Sequence, residues 1–112
     1  MTEPRPAVIG GVDVDAVAAC VGACSTVARL SGGLLGEAAT YLPGRRVYGV
    51  IVREHPAAGE TDLDVRVVAT FGPTMSEVAD QVHQAIALVA PGRSVTVAID
   101  DVDIGDAAGP GG

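Results

Sequence analysis

Asp62-Leu63-Asp64-Val65-Arg66-Val67-Val68-Ala69-Thr70-Phe71 reads as a strand, and the Gly72-Pro73-Thr74-Met75-Ser76-Glu77 after it reads as a stop and a helix start. Leu63, Val65, Val67, Ala69 and Phe71 fall on one side of a period-two chain. Asp62, Asp64, Arg66 and Thr70 fall on the other, the pattern of a strand with one face on a core. Val68 interrupts the polar side, so that side is expected to be only partly solvated. Thr74 and Glu77 have capping-box spacing, in which the hydroxyl and the carboxylate each accept from the other residue's amide. Val78, Val82, Ile86 and Val89 then form one helical stripe, supported by Ala79, Ala85 and Leu88, up to Pro91-Gly92. From Ser94 to Ile99, Val95, Val97 and Ile99 alternate with Thr96 and Ala98, which predicts a further strand. A strand, a crossover helix and a strand predict that these two strands run parallel.

Working back toward the N-terminus, Val47 to Arg53 is expected to be a strand. His55 to Glu60 is a short polar loop, so this strand should pair antiparallel with the one from Leu63. Leu42-Pro43-Gly44-Arg45-Arg46 is a turn, since Pro fixes φ and Gly tolerates a positive one. Leu34 to Leu42 is either strand or a short helical turn, its periodicity favouring neither. Val27-Ala28-Arg29-Leu30 is a short strand. Val14, Val17, Ala18, Val21 and Cys24 repeat at helical spacing, predicting a helix over 14–24 capped by Asp13, with Asp15 in its first turn. The expected fold class is α+β: a two-layer sandwich, helix–short strand–β-hairpin–helix–strand, with two helices on one face of a small mixed sheet. Residues 1–12 and 105–112 are expected to be flexible tails around a single domain spanning 13–104.

Composition narrows the function classes. The chain has 112 residues, 48% of them hydrophobic, and a formal charge of −7. Its pI near 4.5 argues against tracking a nucleic-acid backbone over a wide face. No lysine is present, so a P-loop is impossible. Neither histidine, His55 in a loop or His83 on the polar side of the second helix, stands in a motif with a nucleophile. Cys20 and Cys24 are expected to be small buried hydrophobes, with a redox-sensitive pair as the alternative. Asp100-Asp101-Val102-Asp103 lacks the glycine and distal glutamate of a calcium loop. It reads as a charged strand end, and a weak divalent site remains open. No catalytic residue, cofactor or metal ligand is assigned, and no stretch is apolar and long enough to span a bilayer.

The order of these segments resembles the alkaline shock protein family, the envelope stress response family of Gram-positive bacteria, in a compact high-GC branch. Val17-Ala18-Ala19-Cys20-Val21 and Val27-Ala28-Arg29-Leu30-Ser31-Gly32-Gly33 resemble its opening, with Ser25-Thr26 where a proline-glycine pair is common. Gly49-Val50-Ile51-Val52, Leu63 to Ala69 and Phe71-Gly72 are similar to its central hairpin. Met75 to Val82 is similar to its next helix, and Val95 to Val102 to its closing strand.

The resemblance implies a non-enzymatic protein of cell-envelope homeostasis. It would be cytoplasmic, held near the inner face of the membrane by a protein partner such as an integral membrane protein, and able to form homo-oligomers. Physically, such a scaffold docks partners through a sheet face or edge. The candidate partner surface is Arg45 and Arg46 at the turn with Val50, Val52 and Val68 on the sheet, although the three valines fit a buried core equally well. Two other readings stand beside it. One is a KH-like nucleic-acid module using Arg29, Arg45, Arg46 and the spacing of Gly33-Leu34-Leu35-Gly36. The other is a small-molecule-binding accessory subunit.

Overall fold

The strand Glu60–Thr70, β7, is the spine of the fold in the computed structural model, which describes residues 8–33, 36–55 and 57–104. Along one edge it pairs antiparallel first with β6 (Val50–His55) and then with β3 (Val27–Leu30). Along the other it pairs parallel with β8 (Ser94–Asp103), from Asp62 opposite Ser94 to Thr70 opposite Asp103. The antiparallel and parallel pairings expected from the loop and the crossover helix are both present.

Two strands share one edge because the chain changes hands at Arg66. Its amide donates to the Gly49 carbonyl at 2.8 Å, and its carbonyl accepts from the Ser31 amide at 2.8 Å. Gly49 has φ +81°, and a Cβ there would lie 2.8 Å from both the Arg66 carbonyl oxygen and Leu30 Cβ. The single strand expected over 47–53 is therefore two. β5 (Arg45–Tyr48) folds back on β4 (Ala39–Leu42) through Pro43-Gly44, and β6 starts after Gly49.

α1 (Val14–Gly22) and α2 (Met75–Val89) lie against each other on one face of the sheet. Val14, Val17 and Val21 from α1 and Val78, Val82 and Ile86 from α2 are buried in one core with Leu63, Val65, Val67 and Ala69. The Asp13 carboxylate accepts from the Ala16 amide at 3.0 Å, so the predicted cap of α1 forms. At α2 the Thr74 hydroxyl accepts from the Glu77 amide at 3.1 Å and the Glu77 carboxylate accepts from the Thr74 amide at 2.8 Å. Gln81 ties α2 to the segment after α1: its side-chain oxygen accepts from the Thr26 amide at 2.9 Å and from the Thr26 hydroxyl.

Several expectations are corrected. Val8–Ile9 (β1) and Val12–Asp13 (β2) pair across Gly10-Gly11, and Val12 is fully buried, so this part of the expected tail belongs to the fold. Residues 1–7 and 105–112, also assigned to tails, lie outside the described residues, as do Leu34 and Leu35. Phe71 does not join the core face. β7 ends at Thr70 and Gly72 turns the chain at φ 121°, leaving the ring 74% exposed. Leu88 is 84% exposed and gives the α2 stripe no support. β8 runs through the acidic segment to Asp103. Ile99 lies opposite Val67 and Asp101 opposite Val68, so Asp100 is the extra residue of a bulge.

Candidate functional site

Register decides which expected partner-surface residues are available. Val50 stands opposite Val65 and Val52 opposite Leu63, so both point to the helix-covered side with their partners. Val50 is fully buried and Val52 is packed against the core, which removes both from a free sheet face. Val68 does lie on the opposite side of β7, but it is 6% exposed and lines a cleft. The three valines therefore do not form a docking surface.

That opposite side is a lattice of charge. His55 Nε2 lies 2.8 Å from Asp62, and the Arg53 guanidinium reaches Asp64 at 2.6 Å. Arg29 reaches Asp103 at 3.1 Å. Exposed pairs of this kind contribute little to stability singly, but they fill the face with solvated polar groups. The cleft, about 490 Å³, is lined by Ser31, Gly33, Glu37, Arg66, Val68 and Asp100 among others. At its centre Arg66 donates to both oxygens of Asp100, at 3.0 and 2.8 Å, and the Ser31 hydroxyl donates to Asp100 at 2.7 Å.

The Arg66 guanidinium beside it, with help from Ser31, holds the Asp100 carboxyl below its ordinary value of 3.8. A group whose folded pKa is lowered adds stability above its unfolded pKa and loses that contribution as pH falls through the folded one. Arg66→Gln is therefore expected to lower Tm at neutral pH and to flatten the acid limb of Tm against pH below about 4. Thermal melts by circular dichroism check this, and parallel limbs for the two proteins would contradict it.

The acidic run is committed within the fold. Asp100 is held by Arg66 and Ser31, Asp103 by Arg29, and Asp101 accepts from the Val102 amide at 2.8 Å. Among the described residues no group of three or more His, Cys, Asp or Glu is placed to hold a metal ion. Cys20 and Cys24 are free thiols, and Cys24 is buried. Burial, with Cys20 alongside, pushes the Cys24 thiol up, away from the reactive thiolate.

The two arginines of the turn behave differently. Arg45 forks onto both oxygens of Asp15 at 2.9 and 2.6 Å, pinning the β4–β5 hairpin to the first turn of α1. Arg46 points the other way. Tyr41 stands opposite Arg46 across the hairpin, and Tyr48 follows two residues later on the same face. The guanidinium lies 5.7 Å from the Tyr41 ring centre and 5.5 Å from that of Tyr48, and both rings are exposed. The inner face anchors this stack. Thr40 and Val47 are buried, and the Thr40 hydroxyl donates to the Val50 carbonyl. Tyr48 also covers Gly32, where a Cβ would come within 2.8 Å of the ring.

Sequence reasoning missed the tyrosines, although a signal was present. A two-residue turn at Pro43-Gly44 sets Tyr41 across from Arg46 and Tyr48 on the same face. For the nucleic-acid reading, Arg29 and Arg45 are already paired with aspartates, and the middle of Gly33-Leu34-Leu35-Gly36 lies outside the described residues.

The chain is thus an α+β protein, two helices on one face of a mixed sheet, with an aromatic–arginine stack on a projecting hairpin. Comparisons with models of known families, with curated proteins and with solved structures found no match. Among the described residues no helix is long and apolar enough to cross a membrane.

Proposed function

We propose that this protein is a non-enzymatic adaptor of cell-envelope homeostasis, docking a protein partner at or near the membrane through the outer face of the β4–β5 hairpin. The observation that carries this reading is the exposed Tyr41–Arg46–Tyr48 stack. Tyrosine and arginine bring large contact area with few rotatable bonds and dominate binding energy at protein interfaces. A hairpin tied to α1 by Arg45 and to β6 by Thr40 holds the rings in place before binding, which reduces the entropy lost on docking. Among the described residues the Arg46 guanidinium meets aromatic faces and no carboxylate. The complementary partner presents an acidic group there. The order of sequence motifs shared with the alkaline shock protein family supports the cellular setting.

Truncating a hot-spot residue costs about 2 kcal/mol or more, close to thirtyfold in Kd. Arg46→Ala and Tyr48→Ala are each expected to lower recovery of the cross-linked partner by about that factor, while the exposed Arg29→Ala leaves it unchanged. Cross-linking and fractionation at native expression test the reading. Recovery of free monomer alone, with nothing in the membrane fraction, would sink it.

A further inference from the structure

Among the described residues β8 is bonded along one edge alone, to β7. Its two halves differ. The second half carries Asp100, Asp101 and Asp103 and the bulge at Asp100, two devices that keep a strand edge from accepting another strand. Ser94-Val95-Thr96-Val97-Ala98-Ile99 has neither. It is uncharged, lacks proline, is rich in β-branched residues, and pairs in unbroken register from Ser94 opposite Asp62 to Ile99 opposite Val67. On the edge away from β7, a row of backbone amides and carbonyls faces outward.

We propose that the Val95–Ile99 edge of β8 pairs antiparallel with the same edge of a second copy, about a two-fold axis normal to the sheet. The pairing is centred on Val97. A two-fold contact is self-complementary, so each strand must satisfy the restriction that it imposes. A strand that pairs over the open half and goes no further is one that is itself blocked beyond it, and β8 is such a strand. Charge fixes the direction. Run antiparallel, the acidic ends of the two copies point away from each other, and the two Asp101 residues stand roughly 26 Å apart. Run parallel, the carboxylates of one copy would stack on those of the other. Centring on Val97 sets Val95 of one copy opposite Ile99 of the other, so the partly buried apolar residues of both stay on the helix-covered face. The result is one continuous sheet carrying two hairpin stacks.

The test uses the purified chain with no other protein present, so its failure is separate from failure of the hairpin reading. Sedimentation equilibrium is expected to give twice the chain mass of 11.2 kDa. Thr96 is exposed beside Asp64, so Thr96→Lys fits the monomer while placing a cation on the open edge. It is expected to weaken the dimer at least tenfold with far-UV circular dichroism unchanged. Hydrogen exchange in the wild type is expected to slow with concentration at the outward amides of 95–99. A wild-type chain that stays at monomer mass at the highest attainable concentration overturns the proposal. So does a dimer that survives Thr96→Lys, or one that dissociates with Arg46→Ala instead, which would place the contact on the hairpin.

Discussion

Gly49→Ala is expected to destabilise the fold by about 3–5 kcal/mol, out of a total of order 5–15 kcal/mol for a domain of this size. Two costs add. The backbone holds φ +81° at Gly49, a conformation that costs an L-residue about 1–3 kcal/mol. The new methyl would also sit 2.8 Å from the Arg66 carbonyl oxygen, which cannot retreat because it accepts from the Ser31 amide. Gly44→Ala is the matched control. Its φ is +78°, but nothing lies within 4 Å of the added carbon, so about 1 kcal/mol is expected. Urea denaturation of both variants separates the contributions. Equal midpoints would mean that the crossing of β3, β6 and β7 tolerates a side chain.

The second large effect is at Leu63, fully buried in the middle of β7 between Val52 and Val95. Leu63→Ala is expected to cost about 2–5 kcal/mol, the lost burial plus the cavity left behind. The upper half of that range is favoured, because the surrounding core is mostly valine, stiff at χ1 and short of reach, and collapses poorly into a void. Leu88→Ala removes the same atoms from an 84% exposed site and is expected to change stability by less than about 0.5 kcal/mol. Comparable losses for the two variants would contradict the assignment of the core.

Much of this fold is legible in the chain. The alternation from Leu63, the capping box at Thr74 and the stripe of α2 are local signals, and each forms as read except at Phe71 and Leu88. What escaped the reading depends on partners distant in sequence. Gly49 sits in a continuous β-forming run, and only the approach of Arg66 and Leu30 makes it a break between β5 and β6. Val50 and Val52 fit a partner surface or a core equally well in the sequence, because alternation alone does not say which face of a strand meets the helices; pairing with β7 decides that. Val12 reads as the end of a tail because two glycines precede it, yet they are what lets Val8–Asp13 fold into a hairpin. Ser25-Thr26 carries no local signal at all. Its role shows only where Gln81, more than fifty residues later, meets it.

Of the candidate surface, Arg46 faces outward with the two tyrosines, while the valines form no free face. Arg45, the neighbour in sequence, is an internal clamp onto Asp15. Adjacent residues on a strand face opposite ways, so of the two arginines at this turn one meets the tyrosines and the other meets Asp15 of α1. The two-residue turn separates them and sets Tyr41 and Tyr48 beside Arg46.

Because every strand of the main sheet pairs with β7, the order of synthesis constrains when that sheet can exist. β3 and β6 both precede β7 on the ribosome, so one edge can close as soon as residue 70 emerges. The other edge waits for β8, which follows β7 by more than twenty residues, and for the α2 crossover before it. Until then a growing chain holds out a long valine-rich strand with one side unpaired. That interval is when a holding chaperone has something to grasp, and it closes once β8 has emerged.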